Sequence, residues 1–330
     1  MLEQNNRPVR MTPIHEFRRD PVSGDWTLIA PGRARRPDAS ENRHEWEDSY
    51  QTPADCPFEK PAIRDDVVVI TNKYPALIPG ACGQPQERGP FLVQAAHGFH
   101  ELVITRDHEK HFAQFTDQET LRVLQVYQER YQAIAQDACG SYISIFHNHR
   151  REAGASVWHN HSQILSTPVI PPEVLRSVQG ADHYFQQHGR SVHCTMIHWE
   201  QEQGIRMIAE NERFILFCPF VSKTPYEMRI FPKEHSARYE LTSGPDLVLC
   251  ARLLNTALRA LHGALNDPPF NFYIHTAPVQ RDPLVNYDYY HWHIEIVPKL
   301  KIDAGFELGT GLYVNPVDPD DAAQILRSSL

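Results

Sequence analysis

His159-Asn160-His161-Ser162-Gln163 sets two imidazoles and a carboxamide at alternate positions. In an extended strand the side chains at i, i+2 and i+4 share one face, so the run predicts a strand with His159, His161 and Gln163 in a row. A neutral imidazole nitrogen is a good nucleophile toward phosphorus, and a neighbouring amide NH2 can hold a phosphoryl oxygen. The pattern returns late in the chain as His291-Trp292-His293-Ile294-Glu295, with glutamate in place of glutamine.

The segments ahead of the two runs correspond as well. His100 to Thr105 reads as a strand and is followed by Arg106-Asp107-His108; Glu227 to Pro232 reads as a strand and is followed by Lys233-Glu234-His235. Thr116-Asp117-Gln118-Glu119 is a capping box that opens a helix to about Gln136, with Leu121, Leu124, Tyr127, Tyr131 and Ile134 on its inner face. Its counterpart runs from Asp246 to about Leu265. Strands at Tyr142 to Phe146 and at Phe270 to His275 follow, and then the two His-x-His runs, the second on a strand from Tyr289 to Val297. This is an internal duplication with a period of roughly 130 residues. It predicts an α+β fold of tandem modules, each a mostly antiparallel sheet with a long helix packed on it. The expected division is 1–178 for the first module and 179–330 for the second. Outside the repeat, Glu16 to Ala30 reads as a hairpin turning at Gly24-Asp25, Val67 to Thr71 as a buried strand, and Asp38 to Asp55 as a polar loop.

The bulk composition excludes several classes. A net charge of −9 argues against a general nucleic-acid surface, and no run of about 18 apolar residues offers a membrane span. The polar N-terminal stretch lacks an apolar signal core, so a cytoplasmic protein is expected. Six scattered cysteines without a C-x-x-C pair are expected to be free thiols.

Asn148, Gly154-Ala155-Ser156 and His159-Asn160-His161-Ser162-Gln163 together resemble the active-site segment of the galactose-1-phosphate uridylyltransferase family, in the nucleotidyl-transferring branch of the histidine-triad superfamily. The resemblance extends over most of the chain, through Asp20 to Trp26 with Arg33 and Arg36, Thr71 to Leu77, His275-Thr276-Ala277-Pro278, and Gly305-Phe306-Glu307. It implies a ping-pong reaction in which His161 attacks the α-phosphorus of a nucleotide sugar, releases a sugar 1-phosphate and holds a nucleotidyl group for a second sugar 1-phosphate. Gln163 would donate to a phosphoryl oxygen. Ser156, Asn148 and Gly154 would lie at the phosphates, Arg33 and Arg36 near the nucleotide, Asn72 at the nucleoside, and Gly305, Phe306 and Glu307 at substrate. The leading activity is UDP-glucose:galactose 1-phosphate uridylyl transfer. The alternatives are an ADP-glucose phosphorylase of the same family, a non-catalytic nucleotide- or metal-binding protein on the scaffold, and a metal-dependent hydrolase.

The resemblance also implies metals. A zinc site would comprise Cys56, Glu59 (where relatives carry a second cysteine), His108 and His159. A second site, for iron or zinc, would use His275, His291 and His293. Its usual fourth ligand, a glutamate, falls at Ser177, with Glu173 nearby, and Asn160 stands where relatives carry proline. A homodimer is expected, with partner residues entering the site in some relatives.

Overall fold

In the computed structural model, which describes residues 15–35, 50–59, 66–137, 139–279 and 284–330, the repeat is laid out as two halves of one sheet. A short antiparallel hairpin, β1 (Glu16–Arg19) and β2 (Trp26–Ile29), precedes β3 (Val67–Thr71). The small hairpin β4 (Gln86–Arg88) and β5 (Phe91–Val93) leads into β6 (Phe99–Thr105). The helix α1 (Asp117–Ile134) opens on the expected capping box: Thr116 accepts from the Glu119 amide while Glu119 reaches back to the Thr116 amide. β7 (Tyr142–His149) and β8 (His161–Thr167) complete the first half.

Two helices not anticipated from the sequence, α2 (Pro172–His188) and α3 (Val192–Gln203), connect the halves. The expected boundary at 178/179 falls inside α2. The second half contains β9 (Met207–Glu210), β10 (Phe214–Phe217), β11 (Met228–Pro232), α4 (Gly244–Leu265), β12 (Phe270–His275) and β13 (His293–Pro298). The chain ends with α5 (Gly305–Thr310), β14 (Tyr313–Asn315) and α6 (Pro319–Arg327).

The strand order is β3-β6-β8-β7-β12-β13-β11-β10-β9, and every pairing in this sheet is antiparallel. The halves therefore join edge to edge, β7 on β12, with Phe146 opposite Tyr273. The α+β duplication is visible in the order itself: β6, β7 and β8 with α1 answer to β11, β12 and β13 with α4.

One face of the sheet is covered by α1 and α4, which pack side by side. Leu124, Tyr127, Leu254 and Leu258 are completely or almost completely buried there, with Ile143, Ile145 and Ile164 beneath α1 and Phe272 and Ile294 beneath α4. All five residues expected on the inner face of α1 are buried. Thr120 donates to Asn255 at 2.6 Å between the helices, so the polar atoms at that contact are satisfied. The opposite face of the second half is filled by α3, where Ile197 meets Ile215, Phe217 and Phe231. A separate three-stranded sheet, β1-β2-β14, carries β14 parallel to β2.

Two expectations are corrected. The first concerns the His-x-His runs, which straddle strand starts rather than lying within strands. β8 begins at His161 and β13 at His293, so His159 and His291 precede the ladder. The second concerns the thiols. Cys82 and Cys139 are bonded, with Cα atoms 5.1 Å apart, because the stretch after β3 returns beside the turn from α1 into β7. Residues 57 apart in sequence give no local sign of that approach. Cys56, Cys194, Cys218 and Cys250 are free.

Candidate active site

Ile104, on β6, and His161 face each other across the ladder, as do Leu102 and Gln163. This puts His161 and Gln163 on the sheet face away from α1, whereas Ser162 and Ile164 point toward the helix. Nδ1 of His161 lies 2.9 Å from the His159 carbonyl. A carbonyl only accepts, so Nδ1 carries the proton and Nε2 holds the lone pair. Burial lowers the His161 pKa, which keeps the ring neutral at neutral pH. The His161 carbonyl is held in turn by the buried His147 ring, whose Nδ1 donates to it at 2.9 Å.

Gln163 is oriented by a relay. The Ala76 amide donates to His100 Nδ1 at 3.1 Å, so the opposite nitrogen, Nε2, is the donor and reaches Gln163 Oε1 at 2.8 Å. The Gln163 NH2 is thereby left to donate elsewhere. The Asn72 carboxamide sits 3.1 Å from the same His100 ring. The strand register β7–β8 pairs Phe146 with Gln163 and His147 with Ser162; carried one step further, it brings Asn148 beside His161. Asn148 accepts from Asn271 of β12 at 2.8 Å, and Asn271 also donates to the Ala153 carbonyl at 2.7 Å. Gly154 has φ +95°, a backbone conformation that glycine adopts without strain, and Ser156 stays exposed. Asn160 is buried and ties its side chain to Thr105 Oγ1 at 3.3 Å. Asn148 and Ala155 thus line one cavity with His161, Gly154 lies against Asn148, and Asn72 reaches Gln163 through His100, while Ser156 is exposed on the same loop.

His159 turns to the cluster expected for zinc. Its Nε2 donates to the Thr105 carbonyl at 2.6 Å, and His108 Nε2 donates to the Gln51 carbonyl at 2.6 Å. Both Nδ1 atoms are therefore lone pairs, and they face each other at 3.3 Å. Cys56 Sγ lies 3.6 Å from His159 Nδ1, and Glu59 Oε1 lies 3.5 and 3.4 Å from the two Nδ1 atoms. Cys56, His108 and His159 offer atoms within 4.8 Å of one another, with Glu59 reaching the two Nδ1 atoms, and lone pairs converging this closely repel unless a cation lies among them. Zinc bonded at 2.0–2.1 Å to nitrogen and about 2.3 Å to sulfur needs tetrahedral edges of about 3.4 Å for N···N and about 3.6 Å for S···N. The His108–His159 and Cys56–His159 separations match those edges, and a thiolate with the Glu59 carboxylate would balance the charge. The carbonyls that fix the two tautomers are the usual outer partners of metal-bound histidine.

The second expected metal set does not assemble as a unit. His291 sits with Cys194 and His235, whereas His275 and His293 sit with Glu295. Its buried Nε2 has no hydrogen-bond partner in that first group, where Cys194 Sγ is 3.1 Å from His235 Nδ1. In the other group the Glu295 carboxylate is already engaged by Tyr273 at 2.8 Å and by Arg229 at 3.4 Å, and a guanidinium beside the ligands disfavours a further cation. The displacement follows from the strand start at His293, which separates the two rings of the run. Ser177 lies against Tyr290, and Glu173 pairs with Arg176, so neither completes a site. Cys194 and His235 were missed, although Lys233-Glu234-His235 repeats Arg106-Asp107-His108; read strictly, that echo pointed to His235.

The remaining expected residues lie elsewhere. Arg33 is exposed in the 3-10 turn Pro31–Arg35, whose start is fixed by Ala30 donating to the Asn315 carbonyl. Glu307 caps its own helix α5 and pairs with Lys301; Gly305 begins that helix and Phe306 is exposed on it. The small sheet that carries these residues is bound to the β10–β11 connection through Arg18 with the Phe220 carbonyl and Asn315 with Ser222 and Thr224. β11 is four strands from β8, roughly 19 Å at the usual spacing. Arg36 lies outside the described residues. Among the described residues no helix is long and apolar enough to cross a membrane.

Comparison with known proteins yields two family models. One, described as galactose-1-phosphate uridyl transferase, N-terminal domain, matches residues 8–171; the other, a domain of unknown function (DUF4921), matches 93–330. The ADP-glucose phosphorylase of Arabidopsis thaliana is 34% identical over 94% of this chain and 92% of its own length. A galactose-1-phosphate uridylyltransferase of Thermotoga maritima is 27% identical over 95% and 98%. Among solved structures, an Arabidopsis thaliana ADP-glucose phosphorylase with bound ADP-glucose has a TM-score of 0.78 at 31% identity, covering 95% of this chain and 99% of that one. A uridylyltransferase structure has a TM-score of 0.77 at 26% identity, covering 96% and 98%.

The imidazoles around β7 make the protein acid-sensitive. Burial, reinforced by His149, pushes His111 down to about 3. Between that value and an unfolded pKa of about 6.5, only the unfolded chain takes up the proton, so the contribution is complete above 6.5 and is lost as pH falls. From pH 7 to pH 5 this group is expected to remove about 2 kcal/mol of stability. Urea melts of wild type and His111→Gln at the two pH values measure it; equal losses in both proteins would refute it.

Proposed function

The chain belongs to the galactose-1-phosphate uridylyltransferase family, and from that membership and the geometry around His161 we propose that it cleaves a nucleotide sugar through a covalent nucleotidyl-histidine. The observation that carries this reading is the bond from His161 Nδ1 to the His159 carbonyl, which leaves Nε2 unprotonated on the sheet face away from α1. Nε2 attacks the α-phosphorus, the bond to the β-phosphate oxygen breaks, and a sugar 1-phosphate departs. The ring becomes cationic as the P–N bond forms, and its Nδ1–H then binds the carbonyl more strongly. Gln163, with its oxygen occupied by His100, presents NH2 to a non-bridging oxygen without supplying a proton. Ser156 and Asn148 flank the phosphates, and Asn72 serves the nucleoside side.

For the second step we favour orthophosphate as acceptor and ADP-glucose as donor, giving ADP and glucose 1-phosphate. The support is the similarity to the plant phosphorylase over nearly the whole chain. Uridylyl exchange between UDP-glucose and galactose 1-phosphate is the second reading, supported by the similarity to the Thermotoga maritima enzyme. Zinc held by Cys56, Glu59, His108 and His159 would be structural, fixing the His159 carbonyl that polarises His161. Cys194, His235 and His291 offer a second group of the same type. A homodimer would let Arg33 and Gly305 to Glu307, distant from His161 in one chain, serve the site of the other. Sedimentation is expected to give the mass of two chains, and a monomer under turnover conditions would count against that arrangement.

Intact mass after mixing with ADP-glucose is expected to rise by one AMP unit, and His161→Gly is expected to show no rise. Phosphate should then discharge the adduct as ADP. A UMP adduct from UDP-glucose, discharged by galactose 1-phosphate alone, would select the second reading. Absence of any adduct would reject transfer through His161. For the metal, elemental analysis of Cys56→Ala/Glu59→Ala should show one zinc per chain fewer than wild type, and an unchanged content would remove the assignment.

A further inference from the structure

Four non-glycine residues among the described ones have positive φ, and three of them, Arg150, Asn266 and Asp267, meet at one point. Arg150 follows the last residue of β7, with φ +67° and ψ 164°, a region populated almost solely by glycine. Its guanidinium is bound to Asp267, just past the end of α4, by Nη2 at 2.5 Å and Nε at 3.2 Å to Oδ2. The other oxygen of Asp267 takes His149 Nε2 at 2.9 Å and lies 3.2 Å from His262 Nδ1. Asp267 is itself anchored to its helix, its amide donating to the His262 carbonyl at 3.1 Å.

What this costly conformation sets is the next loop. The Arg150 carbonyl accepts from the Ala153 amide at 3.3 Å and from the Ala155 amide at 3.0 Å. Those two bonds close the turn that delivers Gly154 and Ser156. The direction of one carbonyl, fixed by the backbone angles of Arg150, therefore aims the loop.

We propose that Asp267 is a positioning residue: by gripping the Arg150 guanidinium it holds Arg150 in a glycine-like backbone conformation, and so fixes the loop whose Ala155 lines the cavity at His161. That the loop serves the phosphates rests on the reading given above. The second module, which lacks the glutamine of the first, thus takes part in the chemistry by holding its neighbour's backbone.

The test is a double-substitution cycle with a readout separate from activity. Glycine adopts the Arg150 angles unaided, so in an Arg150→Gly chain the guanidinium grip is gone and Asp267 keeps only its contacts to His149 and His262. Asp267→Ala in the wild-type background is expected to speed hydrogen exchange across residues 151–156 and to slow adduct formation at saturating nucleotide sugar, each by roughly tenfold. In the Arg150→Gly background the same change is expected to shift both by no more than about twofold. Equal effects in the two backgrounds, or no effect in either, would overturn the proposal. If Asp267→Ala alone does not fold, recovery of folding in the double variant supports the grip, and failure of both refutes it. If wild type forms no adduct with any nucleotide sugar, the transfer reading falls, while the exchange data still decide the role of Asp267.

Discussion

One hydrogen bond, from His161 Nδ1 to the carbonyl two residues back, decides which nitrogen of that ring keeps its lone pair, and much of the surrounding structure serves to keep that carbonyl still. His159 is pinned at both ring nitrogens: Nε2 to Thr105 and Nδ1 into the group formed with Cys56, Glu59 and His108. The His161 carbonyl is pinned by His147, whose Nδ1 also lies 3.3 Å from the hydroxyl of Ser162; that hydroxyl is met by Tyr127 of α1. A ring free to change tautomer would spend part of its time with Nε2 protonated and without a lone pair there. The buried network removes that freedom before substrate arrives, as preorganisation requires.

The second module shows what the same bond does without the rest. His293 Nδ1 lies 3.1 Å from the His291 carbonyl, so its tautomer is the one His161 has. Gln163, Phe146, Tyr273, Glu295 and Arg229 run in register across five strands, placing Glu295 as the counterpart of Gln163. Ionised glutamate cannot donate; it is countered by the Arg229 guanidinium and accepts from the Tyr273 hydroxyl. Phe231 stacks on His293 at 4.5 Å, and α3 covers that side of the sheet. Two copies of one scaffold thus differ in what lies over the sheet: the Cys56–Phe58 segment, with Phe58 edge-on to His161 at 5.2 Å, on the first half, and α3 on the second.

Local chemistry was legible in the sequence wherever it determines local structure. The capping box at Thr116, the buried stripe of α1 and the strands Val67–Thr71 and Phe270–His275 all follow from residue spacing. Alternation reveals which face a side chain takes but not where a strand begins, so His159 and His291 were placed on strands that start two residues later. That two-residue difference is why His291 joins Cys194 and His235 instead of His293. Contacts between distant segments left no local sign. The Cys82–Cys139 bond, the packing of α3 on β10 and β11, and the separation of Gly305 to Glu307 from β8 depend on topology rather than spacing.

The seam between β7 and β12 explains why a half without the full catalytic set remains structurally indispensable. Asn271 reaches Asn148 and Ala153 only because β12 pairs with β7 in the observed register. A one-residue slip would turn Asn271 to the helix face, and Phe272 would leave the core for the open face. Phe272 is completely buried among α4-side residues, so hydrophobic burial holds the register on which the polar contacts depend. Asp267, at the end of α4, is fixed by the same packing and holds Arg150 from the other edge of the loop. The core of the second module therefore supplies geometry to the first, and the apolar face beneath α4 acts on the loop beside His161 without touching it.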